Sequence, residues 1–77
     1  MTDNEPAPTV VRLIVTNRTS EPTDLVLEPA GEVYPIAPGQ RRVVRYQGDP
    51  APQLSIDIHV GETKIWEEGV GTMELEE

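Results

Sequence analysis

The sequence predicts an all-β fold, a small antiparallel β-sandwich of about seven short strands. Three observations predict it. The stretch Glu28 to Gly39, E-P-A-G-E-V-Y-P-I-A-P-G, packs three of the eight prolines and two of the six glycines around Val33, Tyr34 and Ile36, so the chain turns back twice within twelve residues. Aliphatic and β-branched runs recur between clusters of turn formers, at strand length rather than helix length. No segment of adequate length carries a helical period.

Taken in order, residues 1–8 are polar, acidic and aperiodic, with two prolines, and read as a disordered tail ahead of a single domain over 9–77. Thr9 to Thr16 is β-branched and reads as the first strand, with Val11, Leu13 and Val15 on one face and Val10, Arg12, Ile14 and Thr16 on the other. Asn17 to Pro22 is a turn-rich loop, or in the alternative a short helical turn over 20–24 capped by Ser20 with Pro22 in its first turn. Thr23 to Glu28 is the second strand, with Leu25 and Leu27 on one face, and Pro29-Ala30-Gly31 turns the chain without strain. Glu32 to Ile36 is the third strand. Pro35 lacks an N–H, which places it at a sheet edge or a bulge.

Pro38-Gly39 fits the central positions of a type II turn. Arg41 to Gln47 is the fourth strand, with Val43 beside Arg41 and Arg45 on one face, and Val44 beside Arg42 and Tyr46 on the other. After the loop over 48–52, Gln53 to Val60 alternates Leu54, Ile56, Ile58 and Val60 with Ser55, Asp57 and His59, which predicts one core face and one wet face. Gly61-Glu62 turns into a strand over 63–67. Gly69 and Gly71 bracket Val70 before a last strand over 72–76, for which an acidic tail over 70–77 is the alternative.

Composition bounds the function. A chain of 77 residues forms one domain, and a domain this small buries only about 60% of the surface its unfolded chain exposes. Without Cys there is neither a disulfide nor a thiolate metal site, and without Phe the core must come from Val, Ile and Leu, helped by Trp66, Tyr34 and Tyr46. Self-association is expected on stability grounds. The net charge of −8 lies mainly at the ends: −2 over 1–8, −1 over 9–61 and −5 over 62–77. That distribution disfavours nucleic acid, whose phosphates are bound largely by Lys and Arg. It fits a solubilising surface first, and an acidic face for a basic partner second. No apolar run approaches the ~20 residues of a membrane helix. Residues 1–8 have no basic start and no apolar stretch of a secretory signal, so the expectation is a cytoplasmic protein with no membrane partner.

Candidate sites are few. Asp57 and His59 share a strand face and could hold a metal or exchange a proton, but one His without Cys lacks a zinc signature, and a solvated strand face is the simpler reading. Asn17-Arg18-Thr19 matches a glycosylation acceptor, which matters only in a secreted eukaryotic chain; without a signal segment the reading is a turn that Asn17 and Ser20 close by bonding nearby backbone. Arg41, Arg42 and Arg45 form the only basic cluster, split by alternation, with cross-strand pairing to Glu28, Glu32 or Asp57 expected. Trp66 points outward if Ile65 points inward, making it a contact candidate, unless it closes one end of the core. Glu67 and Glu68 sit in the acidic segment and face opposite sides of a strand. No nucleophile set or phosphate loop is present, so neither an enzyme nor a cofactor is expected.

Val15-Thr16-Asn17-Arg18-Thr19, then Leu25 to Tyr34 and Pro38-Gly39, resemble a group of short uncharacterised bacterial β-sandwich proteins with an E-P-x-G-E-x-Y segment followed by P-G. The resemblance covers roughly residues 10–47, and this chain has Ala30 where that pattern often has a tryptophan. It implies a fold and no activity. The layout also resembles the first half of cupredoxin and immunoglobulin-like sandwiches. The Cys and two His that hold copper in cupredoxins have no counterpart beyond His59. The function expected is a non-catalytic interaction or structural module acting through a protein partner or its own oligomer, with Trp66, Tyr34, Arg41 and Arg45 as contact residues. The alternative is an acidic inhibitor or immunity-type protein blocking a basic, nucleic-acid-handling partner through Glu67, Glu68 and their neighbours.

Overall fold

A computed structural model describes residues 9–48 and 50–76; the tail expected over 1–8 lies outside them. The described residues form β1 (Thr9–Thr16), β2 (Thr23–Glu28), β3 (Glu32–Ile36), β4 (Arg41–Gly48), β5 (Leu54–His59), β6 (Glu62–Glu67) and β7 (Gly71–Glu76), and no helix. The predicted strands are all present, each within a residue or so of its expected bounds. The segment over 20–24 is a bend running into β2 rather than a helical turn, and residues 71–76 are a paired strand rather than a tail.

Two sheets face each other. One has the order β1-β4-β7 and the other β3-β2-β6-β5. As Pro35 requires, β3 is an edge strand. Every pairing of this β-sandwich is antiparallel except β2 with β6, which run parallel in the register Leu27↔Ile65. The chain leaves the four-stranded sheet after β3 and returns for β5, so two local hairpins, β2-β3 and β5-β6, are joined side by side by a non-local seam.

The core lies between the sheets. Leu25, Leu27, Ile36 and Ile65 enter it from the four-stranded sheet and Val44 and Tyr46 from the other, each no more than 1% exposed. Leu13, Val15, Tyr34, Met73 and Leu75 pack around them partly buried. Fully burying such an aliphatic side chain contributes about 1.5–3 kcal/mol, so these few residues carry the fold.

The turns follow the sequence chemistry. Gly39 has φ +79° and Gln40 N donates to Ala37 O at 2.9 Å, as a turn with Pro38 and Gly39 at its centre demands. Asn17, 4% exposed, is the node that locks this end of the sandwich. Its Nδ2 donates to Glu21 O at 2.8 Å and Ile36 O at 2.9 Å, and its Oδ1 accepts from Thr19 N and Thr19 Oγ1. Its backbone N–H donates to Gln40 O and its carbonyl accepts from Gly39 N. The turn-closing role expected of Asn17 is therefore filled, and its amide is engaged inside the fold.

One core assignment is corrected. Ile56 and Ile58 share a face with Ile65 and Thr63 through the β5-β6 register, so they point to the inner side. Yet Ile56 is 54% exposed, Ile58 81% and Val60 fully exposed. The cause is strand count: four strands face three, so β5 is covered on its inner side only near Leu54, which is half-buried, and is left open at Ile56 and Ile58.

Candidate functional site

The fold distributes the expected contact residues over several surfaces. Trp66 lies on the outer face of the four-stranded sheet, between Glu28 of β2 and Ser55 of β5, with Ile65 buried beneath. It is half-buried there, and its Nε1 is enclosed without a hydrogen-bond partner. It therefore belongs to a sheet face and does not close an end of the core. Tyr34, on β3, is in register with Leu25 and packs partly buried against the core. Arg41 and Arg45 lie on the outer face of the three-stranded sheet, on the far side of the sandwich from Trp66. Glu67 ends β6, half-buried, and Glu68 follows it and accepts a 2.6 Å hydrogen bond from Ser55 Oγ.

The arginine partners differ from those expected. Arg45 Nη1 lies 3.5 Å from Glu74, and Arg12 clamps Glu76 with Nε and Nη2 at 2.9 and 2.7 Å, reaching diagonally across β4. Arg42 turns inward at the other end, where Nη2 donates to Pro35 O at 3.3 Å. Glu28 faces Lys64 at 3.9 Å, and Lys64 also reaches Glu62 at 3.6 Å. The partners of Arg12 and Arg45 come from β7 and the Glu28–Lys64 pair from the parallel seam, neither of which alternation within one strand can locate.

Part of the charge is paired, among the described residues, through Arg12, Arg45 and Lys64. Glu62, Glu74 and Glu76 of the acidic segment each have a cationic neighbour. The Glu76 carboxyl is held below the usual carboxylate range, first by its hydrogen bonds from Arg12 and against the opposing effect of desolvation. Asp57 and His59 lie in register with Lys64 and Glu62 on the open outer face. Among the described residues no three His, Cys, Asp or Glu side chains gather where a metal could bind.

What sequence reasoning missed is the flank of β5. Ile56 and Ile58 on the edge strand β5, with Val60 in the turn that follows, form an uncovered aliphatic strip. The strip borders a recess of about 440 Å³ at the Asn17 end of the sandwich, lined also by Val15, Ile36 and Thr63. A signal was present: seven strands divide unequally between two sheets, so one strand must overhang. Alternation cannot say which strand that is.

No helix among the described residues is long and apolar enough to cross a membrane. No family model, curated protein or solved structure matches the chain.

Proposed function

We propose that this chain is a non-catalytic interaction module that works by packing the β5 flank against another polypeptide. The observation that carries this reading is the exposure of Ile56 and Ile58 on the core-facing side of an edge strand, continued by the exposed Val60 of the turn that follows it. An edge strand offers unpaired backbone groups, and an adjoining apolar strip gives a partner area to bury. The inhibitor alternative draws on the acidic segment, and finds less support where Glu74 and Glu76 are already engaged by Arg45 and Arg12.

The test compares the wild type with Ile58→Lys by native mass and by retrieval of partners with a tagged chain, at low and high salt. Association that is lost in Ile58→Lys and persists or strengthens with salt is expected. Binding that is insensitive to Ile58 and collapses with salt points to the acidic-face alternative. A wild type that is monomeric at every concentration and retrieves nothing overturns the module reading.

A further inference from the structure

We infer that the occupant of this flank is a second copy of the chain, its β5 pairing antiparallel with the first copy's β5 about a two-fold axis at Ile58. The inference rests on the module reading and names its partner.

The backbone sets which residues can pair. Glu68 N donates to Gln53 O at 2.9 Å, one step beyond the pair Leu54↔Glu67 in the β5-β6 register. Residues of an antiparallel strand alternately bond to one neighbour and face away from it. Gln53, Ser55, Asp57 and His59 therefore bond toward β6, while Leu54, Ile56 and Ile58 direct N–H and C=O to the open edge. A second β5 must place these outward-facing residues opposite its own.

Charge then selects among the permitted two-fold registers. Centring on Ile56 sets Asp57 against Ser55 of the other copy. Centring on Asp57 sets like charges face to face. Centring on His59 sets it against itself and leaves Asp57 against Gly61. Centring on Ile58 pairs Asp57 with His59 of the other copy twice over, and brings Ile56 twice over beside Val60, the first residue of the turn after β5. The segment Ile56-Asp57-Ile58-His59-Val60 is thus self-complementary when reversed: apolar, acid, apolar, base, apolar. A two-fold axis perpendicular to the sheet keeps both inner faces on one side, so the two aliphatic strips become continuous. The joined sheet has eight strands and ends in β3 at both edges, where Pro35 interrupts the donor row and discourages further addition. Association therefore closes at a dimer.

The absence of Cys from the chain makes the register directly testable. Hydrogen-bonded partners in an antiparallel pair have Cα atoms about 5.5 Å apart, inside the disulfide range of about 4.4–6.8 Å. Residue 56 and its own mate would be four residue steps apart, about 13 Å. On mild oxidation Ile58→Cys should cross-link at least about tenfold faster than Ile56→Cys, because opposed thiols react at high effective concentration. An equimolar mixture of Ile56→Cys and Val60→Cys should cross-link, although Ile56→Cys alone does not. Asp57→Lys should weaken dimerisation, and adding His59→Glu to it should restore it. All these positions are exposed, and circular dichroism verifies that each variant is folded. Equal rates for Ile58→Cys and Ile56→Cys, or a monomeric wild type, overturn the inference. If an Ile58-dependent assembly of another kind persists, the module reading stands without it; if nothing associates, both fall.

Discussion

Gly71 lies directly against the ring of Tyr46: a Cβ at position 71 would sit 2.5 Å from Tyr46 Oη and 2.7 Å from its Cζ. Tyr46 is fully buried and its hydroxyl donates to Val70 O at 2.9 Å, so the ring cannot withdraw. Gly48, the register partner of Gly71, has φ +151° and is equally crowded. Gly71→Ala is expected to destabilise the fold by about 3 kcal/mol, at the upper end of overpacking costs. Tyr46→Phe, which leaves the Val70 carbonyl without its donor, should cost about 1 kcal/mol. Urea denaturation midpoints measure both, and a neutral Gly71→Ala would contradict the packing described.

Asn17 uses both amide protons and its carbonyl oxygen. Asn17→Ala leaves the buried carbonyl of Ile36 without its side-chain donor, and the Thr19 donors without their acceptor. The expected loss is on the order of 3 kcal/mol. Asn17→Asp should be worse at neutral pH, because a carboxylate would then face the Glu21 and Ile36 carbonyls. Denaturation curves of the two variants give the order, and equal stability would argue against the donor role of Nδ2.

The uncovered flank separates two isoleucines, Ile65 and Ile58, two register pairs apart on one face. Ile65→Ala removes a fully buried side chain and should cost about 2–5 kcal/mol. Ile58→Lys replaces a side chain that is 81% exposed and should change monomer stability by no more than about 0.5 kcal/mol. The comparison belongs in dilute solution, where assembly adds nothing to the melting temperature. A large loss from Ile58→Lys under those conditions would put Ile58 back in the core.

The Arg12–Glu76 clamp gives stability a sign with pH. Glu76 has a lowered folded pKa, caused chiefly by its hydrogen bonds from Arg12, so the folded state holds its proton less tightly than the unfolded chain. The clamp's contribution is present above the ordinary carboxylate value and disappears as pH falls through the lowered one. Arg12→Gln should raise the Glu76 pKa in an NMR titration. The gap in denaturation midpoint between wild type and variant should be widest near neutral pH, shrink on acidification and shrink with salt, since both groups are exposed. A gap that grows on acidification would reverse this sign.

Much of the fold was legible because its signals are local. Pro38-Gly39 specified a turn, Pro35 specified an edge, and alternation placed Val44 and Tyr46 on one side of β4 and Arg41 and Arg45 on the other. What stayed hidden depends on contacts between distant segments. Whether the alternating face of Leu54 to Val60 is covered depends on the width of the opposing sheet, which no property of β5 encodes. The partners of Arg12 and Lys64 come from β7 and from β2 in a parallel pairing, and turn chemistry specifies only antiparallel hairpins. Gly71 looked like a turn residue because the ring that needs the space belongs to β4.

The parallel pairing has a kinetic consequence. Leu27 and Ile65 are thirty-eight positions apart, and no turn holds β2 beside β6. Each hairpin can form by itself, whereas the seam between them must wait for a long stretch of chain to close, which slows folding. The single tryptophan sits on that seam, with β5 on one side and β2 on the other. An isolated β5-β6 hairpin leaves one flank of the indole in water, and only docking of β2 encloses it. Intrinsic fluorescence therefore timestamps the docking of β2 against β6, and an unmodified protein already carries its own reporter for that step.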